Sequence, residues 1–570
     1  MKVAYIKNQW LVIVNSILIF TTLSLFAQLE QNTLADKAMV VSAKPEASLI
    51  GIQIIEQGGN AVDAAVAVQM ALTVVYPRAG NIGGGGFMVL RQANGQAHSL
   101  DFREKAPRKA YRDMYLDEKG DVIDRLSLDG HLAVGVPGAV MGCWQMHRKF
   151  GKLPWEDLIQ PAIDLAEKGF YITSAEAEHY NEFAHYFKKL NTKENSFNQE
   201  DKWLAGDKLV QPQLAKTLKL IRDKGAKGFY KGEIAQLIVD EMQRSNGIIS
   251  KKDLKKYKAM WRKPLQGTYK NDYNIISMPP PSSGGICLLQ ILGILENDDL
   301  GSMPYHGKDA VNLIVEAEKR AYADRSEHLG DPDFYDVPLE TLLDKNYLAS
   351  RRSEIEIGKA RSSSEIHPVI LGVELIESPE TTHFSIVDAD GNAVALTTTL
   401  NSNYGSKVVV GGAGFFLNNQ MDDFSAKPGV PNQFGLIGKE ANAIQPQKRM
   451  LSSMTPTIVE KNGQLFMVLG TPGGSRIITS VAQNIINVIE YDMGMQESVN
   501  QGRFHHQWVP DNIYAEDGCI DETTRKALEE MGYTFKPKNL NGRVDAILVK
   551  EDRTLEGAAD WRGEDEAVGW

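Results

Sequence analysis

The sequence contains little cysteine and no excess of positive charge. Its 570 residues include only three cysteines, of which Cys143 and Cys287 lie in apolar runs that predict buried thiols, whereas Cys519 lies in a polar stretch. Three is an odd number, and the sequence does not show which cysteines could pair, so the fold is not expected to depend on disulfide bonds. The formal net charge is −11 at pH 7. Because nucleic-acid binding requires a basic surface, no nucleic-acid partner is predicted.

Long apolar runs are also scarce, and the one candidate lies at the N-terminus. Two lysines precede an apolar run over residues 10–27, and polar sequence follows it. This order is typical of a secretory signal peptide, so residues 1–27 are predicted to be a signal and the protein to be exported, either periplasmic or extracellular. If the signal is not cleaved, residues 10–27 would anchor the chain in a membrane.

The patterns of phosphate and metal sites are missing as well. The glycine run at 83–86 lacks the GxxxxGKS/T pattern, and we interpret it as a close approach of backbone segments in the core. Asp422 and Asp423 have no histidine or third carboxylate at ligand spacing. The adjacent His505 and His506 would point to opposite sides of a strand and are interpreted as structural. No metal and no cofactor is predicted.

The N-terminal half has the patterns of helices. Asn60 is a favourable N-cap, and the apolar helix after it is predicted to end before Pro77. Pro137 is predicted to begin a second helix that runs to about residue 150. Pro154 begins a third, which Gly169 closes.

The pattern changes in the second half of the chain. Residues 180–270 are charged and helical in pattern, which predicts a peripheral lobe, and residues 361–380 are polar and predicted to be mobile. A short helix is predicted around 475–491. The predicted strands are 383–387, 393–400, 405–418, 454–460 and 464–470. Since no Pro/Gly linker separates helix-rich from strand-rich portions, one shared core with α/β layers is expected.

Thr381 stands at the start of a predicted β-hairpin. After it come THFSIV, the turn-forming DADGN and then AVALTTTL, two apolar-alternating runs joined by a turn. A threonine at this position is ordinarily only a strand former. If the bond between Glu380 and Thr381 were cut, however, Thr381 would gain a free α-amine beside its own hydroxyl. One residue would then supply both a nucleophile and a base.

Seven segments extend this hypothesis along the chain. They are GNIGGGGFM (80–88), DFREKAP (101–107), PPPSSGG (279–285), ESPETTHFSIVD (377–388), LNNQMDDFS (417–425), RMLSSMTPTIV (449–459) and TPGGSRI (471–477). In this order they resemble the γ-glutamyltransferase (glutathione hydrolase) family of the N-terminal nucleophile hydrolases, from about residue 33 to 570. The resemblance implies the fold class α/β (α+β), as a four-layer αββα sandwich. It also implies self-cleavage into a large subunit (28–380) and a small subunit (381–570), which stay interleaved as a heterodimer.

The resemblance also implies a site for a γ-glutamyl group, which carries an α-carboxylate and an α-ammonium. The residues that match the family's catalytic group are Thr381, Thr399, Gly473 and Gly474. The residues that match its substrate-binding group are Arg103, Ser452 and Ser453 for the carboxylate and Asp423, Asn401 and Gln420 for the ammonium. Thr381 would attack the γ-carbonyl, Thr399 would hydrogen-bond the nucleophile, and the glycine N–H groups would stabilise the oxyanion. His383 is not needed as a base.

Residues 428–439 resemble the lid loop of some bacterial family members. Phe434 stands where a lid tyrosine is usual, and the missing hydroxyl predicts a looser gate with an altered balance of hydrolysis and transfer. The expected partners are γ-glutamyl compounds such as glutathione and amino-acid or peptide acceptors.

Two other functions stay open at this point. One is a related acylase acting on β-lactam side chains or poly-γ-glutamate, and the other is an uncleaved, non-catalytic exported binding protein. Arg103 and Asp423 favour the γ-glutamyl function over the acylase, because they match a free amino-acid head. The intact TTH, NQMDD and PGG motifs argue against the binding protein.

Overall fold

The computed structural model of the chain describes residues 33–367, 380–537 and 541–570. The predicted signal peptide lies outside these residues, as do residues 368–379 of the polar segment that is predicted to be mobile. Within the described ranges, no helix combines the length and the apolar character needed to cross a membrane.

The described residues form α-helices and mostly short β-strands in alternating groups. The helices are α1 (Pro45–Glu56), α2 (Ala61–Val75), α3 (Ala139–Phe150), α4 (Trp155–Lys168), α5 (Ser174–Leu190), α6 (Pro212–Lys224), α7 (Lys227–Tyr230), α8 (Gly232–Gln243), α9 (Lys251–Lys256), α10 (Gly284–Ile294), α11 (Lys308–His328), α12 (Leu339–Leu342), α13 (Lys345–Ser353), α14 (Ile477–Glu490), α15 (Met495–Asn500) and α16 (Glu522–Glu530). The strands are β1 (Thr33–Ala35), β2 (Met39–Ser42), β3 (Gly85–Arg91), β4 (Ala97–Asp101), β5 (Phe170–Tyr171), β6 (Lys208–Leu209), β7 (Met260–Arg262), β8 (Leu265–Tyr269), β9 (Tyr273–Ser277), β10 (Glu380–Val387), β11 (Ala393–Asn401), β12 (Thr457–Lys461), β13 (Gln464–Gly470), β14 (Phe504–His505), β15 (Ile513–Ala515), β16 (Phe535–Pro537), β17 (Asp545–Val549), β18 (Leu555–Ala558) and β19 (Glu566–Gly569).

Two seven-stranded sheets form the centre of the molecule. The first sheet has the order β1-β18-β17-β13-β12-β9-β8, and the second has the order β19-β2-β10-β11-β3-β4-β7. Neighbouring strands in both sheets pair antiparallel, as β10 does with β11. The hairpin that begins next to Thr381 therefore occupies the middle of the second sheet.

Alternating side chains fix the order of the layers. Along β3, Phe87 and Val89 belong to the apolar cluster between the two sheets, whereas Met88 and Leu90 pack with the helices α1, α2 and α4. The outer face of the first sheet packs against α10, α11 and α14 in a third cluster. Burial on both faces explains why the strands read as continuous apolar runs. The resulting helix–sheet–sheet–helix order confirms the predicted four-layer αββα sandwich.

Local signals place several helix ends correctly. Asn60 accepts hydrogen bonds from the backbone of Val62 and Asp63 at 3.0 Å, and the Asp63 side chain bonds back to the Asn60 N–H. The helix ends at residue 75, before Pro77, as predicted. Gly169, with a φ of 72°, closes α4 as predicted, but the second predicted helix begins at residue 139, two residues after Pro137.

One predicted strand and one predicted lobe are wrong. Residues 405–418 contain turns and a single isolated bridge between Val409 and Phe416, because Lys407, Gly412 and Gly414 have positive φ angles that a strand does not accept. Residues 180–270 are helical only to residue 256, and β7 and β8 follow. Their apolar side chains join the cluster beneath the second sheet, so they do not form a separate peripheral lobe.

Candidate active site

Thr381 lies at an irregularity in the central hairpin. Glu380 pairs with Asn401 and Thr382 pairs with Thr398, so one residue of β10 faces two residues of β11. Such a bulge releases the residue from regular ladder pairing. The Thr381 hydroxyl donates to the Thr399 hydroxyl at 3.3 Å, and Thr399 also accepts from the Asn401 N–H at 2.8 Å. The two threonines that the sequence predicts to be partners are therefore in contact.

The glycine run before β3 brings backbone close to Thr399. A Cβ atom on Gly84 would lie 2.1 Å from the Thr399 carbonyl oxygen, and one on Gly86 would lie 2.3 Å from the Thr397 carbonyl oxygen. No side chain fits at these distances, so only glycine permits this approach. The interpretation of the run as a close backbone contact in the core is confirmed.

Arg103 and Asp423 are paired with each other. Arg103 Nη2 forms a buried hydrogen-bonded ion pair with Asp423 Oδ2, and Gln420 Nε2 donates to the same oxygen at 3.1 Å. Burial raises the pKa of Asp423, although the Arg103 guanidinium opposes this effect. The two side chains predicted for opposite ends of one substrate head thus lie within contact of each other.

Ser452 and Ser453 both accept hydrogen bonds from the protein side of the site. The Ser452 hydroxyl accepts from the Met454 N–H at 3.1 Å, and the Ser453 hydroxyl accepts from Arg325 Nη2 at 3.3 Å. Asn401 has a φ of 84° and donates from its side chain to the Asn419 carbonyl at 3.1 Å. Positive φ at a residue other than glycine is uncommon, and such residues cluster at functional sites.

One pocket brings the predicted residues together. It is lined by Thr381, Thr399 and Gly474 and by all six predicted substrate-binding residues, Arg103, Asn401, Gln420, Asp423, Ser452 and Ser453. Gly473 is not among the lining residues but directly precedes Gly474. Phe434, from the predicted lid, also lines the pocket.

Gly473 and Gly474 lead into a helical segment. Their φ angles are 141° and 58°, and a Cβ atom on Gly474 would lie 2.6 Å from the Phe434 ring. A 3₁₀ turn over Gly474–Arg476 continues directly into α14. The backbone N–H groups at this end of a helical segment carry partial positive charge, which suits an oxyanion. The Tyr322 hydroxyl donates to the Ser475 carbonyl and holds this turn from the helical layer.

The loop predicted to be a lid contacts the body through several hydrogen bonds, of which three involve Gln433 or the Phe434 carbonyl. The Ser402 hydroxyl donates to Gln433 Oε1 at 2.8 Å, the Gln433 N–H donates to Asp422 at 3.2 Å, and Gln507 Nε2 donates to the Phe434 carbonyl at 3.2 Å. The Phe434 side chain is only 6% exposed. Phe434 therefore lines the pocket from the loop predicted to be a lid, and it has no hydroxyl.

His383 has a structural environment. Its two ring nitrogens hydrogen-bond the hydroxyls of Thr397 at 2.8 Å and Ser385 at 3.1 Å. Burial lowers the pKa of His383 to about 3, which makes it a poor base. The described residues include no group of three or more side chains arranged to hold a metal ion.

The sequence did not predict two buried residues, one that lines the pocket and one that lies beside Arg103. Arg325 lines the pocket, yet in the sequence it is simply a cation in the last turn of a helix, where cations are favoured anyway. Glu104 is fully buried, with its Oε2 3.7 Å from Arg103 Nη1, and burial raises its pKa to about 8. No local sequence pattern identifies either residue, because the environment of each side chain consists of residues that only the fold brings close.

Comparisons with known proteins agree with this geometry. A family model described as gamma-glutamyltranspeptidase matches residues 47–570. The chain is 49% identical over 536 residues to a glutathione hydrolase proenzyme of Escherichia coli (strain K12), which covers 93% of this chain and 91% of that protein. A cephalosporin acylase from Bacillus halodurans superimposes with a TM-score of 0.83 at 25% identity, covering 95% of this chain and 97% of that chain. Helicobacter pylori gamma-glutamyltranspeptidase superimposes with a TM-score of 0.57 at 45% identity, covering 60% of this chain and 99% of that chain.

The family model covers most of the chain, and the relative from E. coli matches along nearly the same length. The solved relatives share the arrangement of sheets and helices. By these matches, the chain belongs to the γ-glutamyltranspeptidase family.

Proposed function

We propose that this protein is a γ-glutamyltransferase and glutathione hydrolase whose catalyst forms when the chain cuts itself between Glu380 and Thr381. The observation that carries the proposal is the single pocket in which Thr381 meets a carboxylate-binding arginine, an ammonium-binding aspartate and the glycine turn at Gly474. The names of relatives as glutathione hydrolase proenzymes support it.

The first step creates the base. Hydrolysis of the 380–381 peptide bond consumes one water and leaves a carboxylate on Glu380 and an α-amine on Thr381. An α-amine has a reference pKa of about 7.7–8.0 and is partly neutral near physiological pH. It can therefore take the proton of its own hydroxyl, which His383 is too weakly basic to do.

The second step is acyl transfer. Thr381 Oγ1 attacks the γ-carbonyl carbon, and the carbonyl oxygen becomes an oxyanion beside the N–H groups of Gly473 and Gly474. Collapse expels the amine, which carries away the proton held by the α-amine, and leaves a γ-glutamyl ester on Thr381. Water then gives hydrolysis, or an acceptor amine gives transfer. One oxyanion-hole donor is typically worth about 3 kcal/mol in the transition state.

Substrate binding uses the charges that pair with each other in the structure. The α-carboxylate contacts Arg103, Ser452 and Ser453, and the α-ammonium contacts Asp423 with Asn401 and Gln420. Since Arg103 and Asp423 already lie together, a zwitterionic amino-acid head can contact both without changing the net charge of the pair. An acylase substrate that lacks an amino-acid head would not contact the Arg103–Asp423 pair.

Processing, location and gating belong to the same proposal. Cleavage gives subunits of residues 28–380 and 381–570, which stay together because β10 lies between β2 of the large subunit and β11 of the small one. The apolar run at 10–27 supports export, with cleavage after residue 27 or retention as an anchor. Phe434 closes the pocket as a lid without a hydroxyl, and we expect a looser gate.

A matched pair of variants tests the nucleophile. Thr381→Val and Thr382→Val make the same substitution at adjacent positions. By strand alternation Thr382 lies on the other face of β10, and its hydroxyl has no hydrogen-bond partner among the described residues. We expect Thr381→Val to abolish both self-cleavage and release of p-nitroaniline from γ-glutamyl-p-nitroanilide, and Thr382→Val to retain both.

The readouts are a denaturing gel, N-terminal sequencing of the smaller band, and the anilide assay. A new N-terminus at Thr381 supports the proposal. A single uncut wild-type band of about 60 kDa that cleaves no γ-glutamyl anilide would overturn it. Cleavage of glutaryl-p-nitroanilide in preference to the γ-glutamyl compound would favour the acylase function instead.

A further inference from the structure

Arg325 is a buried cation at the wall of the pocket that the mechanism above does not use. It lies in the last turn of α11, is 5% exposed and lines the pocket. Its Nε donates to the Ser283 hydroxyl at 2.9 Å, and its Nη2 donates to the Ser453 hydroxyl at 3.3 Å. Both bonds go to neutral hydroxyls.

The charge of Arg325 has no carboxylate partner within ion-pair distance among the described residues, in contrast to other buried arginines. Arg320, on the same helix, pairs with Glu316 at 2.7 Å, and Arg103 pairs with Asp423. Asp423 attracts the guanidinium only from beyond ion-pair distance, and a buried charge without a counter-charge in contact is costly. Burial lowers the pKa of Arg325, as expected for a cation in such a place. An anion in the pocket would offset this cost.

The hydrogen bonds of Arg325 also determine where the serine protons point. A guanidinium has only donors, so Ser453 must accept from Arg325, and its own proton is left to point elsewhere. No acceptor for that proton is found among the described residues. The Ser452 hydroxyl has the same role, because it accepts a hydrogen bond from the Met454 N–H at 3.1 Å and its own proton is also left to point elsewhere. Both hydroxyls can therefore donate into the pocket.

Ser283 connects this arrangement to the PPPSSGG segment. The Ser283 hydroxyl accepts from Arg325 and donates to the Ser452 carbonyl at 2.7 Å, and the Ser283 N–H donates to the same carbonyl at 2.7 Å. The neighbouring Ser282 hydroxyl donates to the Met454 carbonyl at 2.6 Å. Arg325 thus joins the segment that contains Ser283 to the one that contains Ser452 and Ser453.

We propose that Arg325 is a positioning residue for the α-carboxylate of the donor substrate. It turns the Ser453 proton toward the carboxylate and adds a second positive charge, besides that of Arg103, to the wall of the pocket. Rather than touching the reacting atoms, it acts through Ser453. This inference rests on the proposed function, and it adds a determinant of specificity for donors that carry an α-carboxylate.

The test compares two donors that differ only in that carboxylate, γ-glutamyl-p-nitroanilide and 4-aminobutyryl-p-nitroanilide. In Arg325→Gln we expect the KM for the γ-glutamyl donor to rise with little change in kcat. The ratio of kcat/KM between the two donors should fall about 10- to 100-fold, the range for a lost hydrogen bond to a charged group. Arg325→Lys, which keeps the charge but cannot bond both serines, should recover part of the ratio.

Arg320→Gln is the matched control, because it makes the same change in a buried arginine of the same helix that does not line the pocket. It should lower the melting temperature and leave the donor ratio unchanged. Self-cleavage and melting temperature report whether each variant folds, and if Arg325→Gln does not fold, Arg325→Lys carries the test.

The outcomes separate the inference from the function on which it rests. An equal loss on both donors, or an unchanged ratio in Arg325→Lys and Arg325→Gln, overturns the positioning role while wild-type turnover still supports the proposed function. If the wild-type protein cleaves neither donor, the proposed function itself fails.

Discussion

The protein contains two clusters of buried charge that differ in what their charges face. In the pocket, Arg103 pairs with Asp423, and Arg325 donates only to hydroxyls. In a cluster near the C-terminus, defined by Arg503, Asp545, Asp560, Arg562 and Asp565, the charges face one another. Asp560 alone accepts from Arg503 at 2.5 Å, from Arg562 at 3.0 Å and from the Val544 N–H at 2.7 Å.

The pKa shifts follow this difference. Burial acts to raise the pKa of Asp560, but Arg503 and Arg562 outweigh burial and lower it. Burial raises the pKa of Asp423, and the attraction of Arg103 and Arg325 does not reverse the shift. Asp560 and its two arginines therefore satisfy one another's charges, whereas Arg325 and the two serine hydroxyls lie at the wall of a pocket that a ligand can enter.

The largest expected effects come from breaking one ion pair in each cluster. Arg103→Met should lower kcat/KM for γ-glutamyl-p-nitroanilide about 10²- to 10³-fold, because truncating one partner of a buried charge pair costs about 2–5 kcal/mol. It should also destabilise the fold, but less than Asp560→Asn, because Asp423 keeps the hydrogen bond from Gln420 and the attraction of Arg325. Steady-state kinetics and chemical denaturation measure the two quantities.

Asp560→Asn breaks an ion pair in the cluster near the C-terminus, for comparison with Arg103→Met in the pocket. It leaves Arg503 buried without its counter-charge, whereas Arg562 keeps its ion pair with Glu516. We expect a loss of about 3–5 kcal/mol in the free energy of unfolding. Turnover per folded molecule should stay at the wild-type level. The comparison fails if Asp560→Asn reduces activity as strongly as Arg103→Met, or if Arg103→Met is the more destabilising of the two.

A smaller effect is expected from pH on the closed cluster. Burial raises the pKa of Asp565 to about 6 and that of Asp545 well above its usual value, with the repulsion between the two carboxyls adding to the shift of Asp545. Since both values lie above the unfolded reference of about 3.9, the folded protein binds these protons more tightly. The stability they contribute is complete below about pH 4 and is lost as the pH rises through 6 and beyond.

Asp565→Asn removes one of the two carboxyls. Between pH 5 and pH 8, the melting temperature of the variant should fall by less than that of the wild type, whatever the absolute stability of the variant. Differential scanning calorimetry across this range measures the slope. Parallel curves for the two proteins would show that the carboxyl pair does not titrate in the fold.

The smallest effect is expected at the lid. Phe434→Tyr restores a hydroxyl above Gly474, and one neutral hydrogen bond contributes about 1 kcal/mol, or roughly a fivefold change. We expect that change in the ratio of transfer to hydrolysis, measured by varying an acceptor such as glycylglycine. The three hydrogen bonds of the loop to Ser402, Asp422 and Gln507 stay in place. Unchanged acceptor dependence would remove the idea of a looser gate.

Local patterns predicted much of the fold. The capping box at Asn60, the glycine that ends α4 and the hairpin after Thr381 depend on residues close in sequence, and all three were placed correctly. The predicted strand at 405–418 was wrong because the apolar runs at 408–410 and 415–417 outweighed the glycines that break it. The predicted peripheral lobe was wrong because a charged helical pattern does not reveal which core its apolar side takes part in.

The sequence by itself determined the family resemblance and so the predicted chemistry of the site, since Thr381, Arg103, Asp423 and the two glycines lie in motifs that resemble those of the family. Only the tertiary structure decided which buried charges line a pocket and which close on themselves. Arg325 and Ser453 are 128 residues apart and Arg503 and Asp560 are 57 apart. The physical reason is that burial and pairing are properties of a charge's surroundings, and distant segments provide those surroundings only after the sheets and helices have packed.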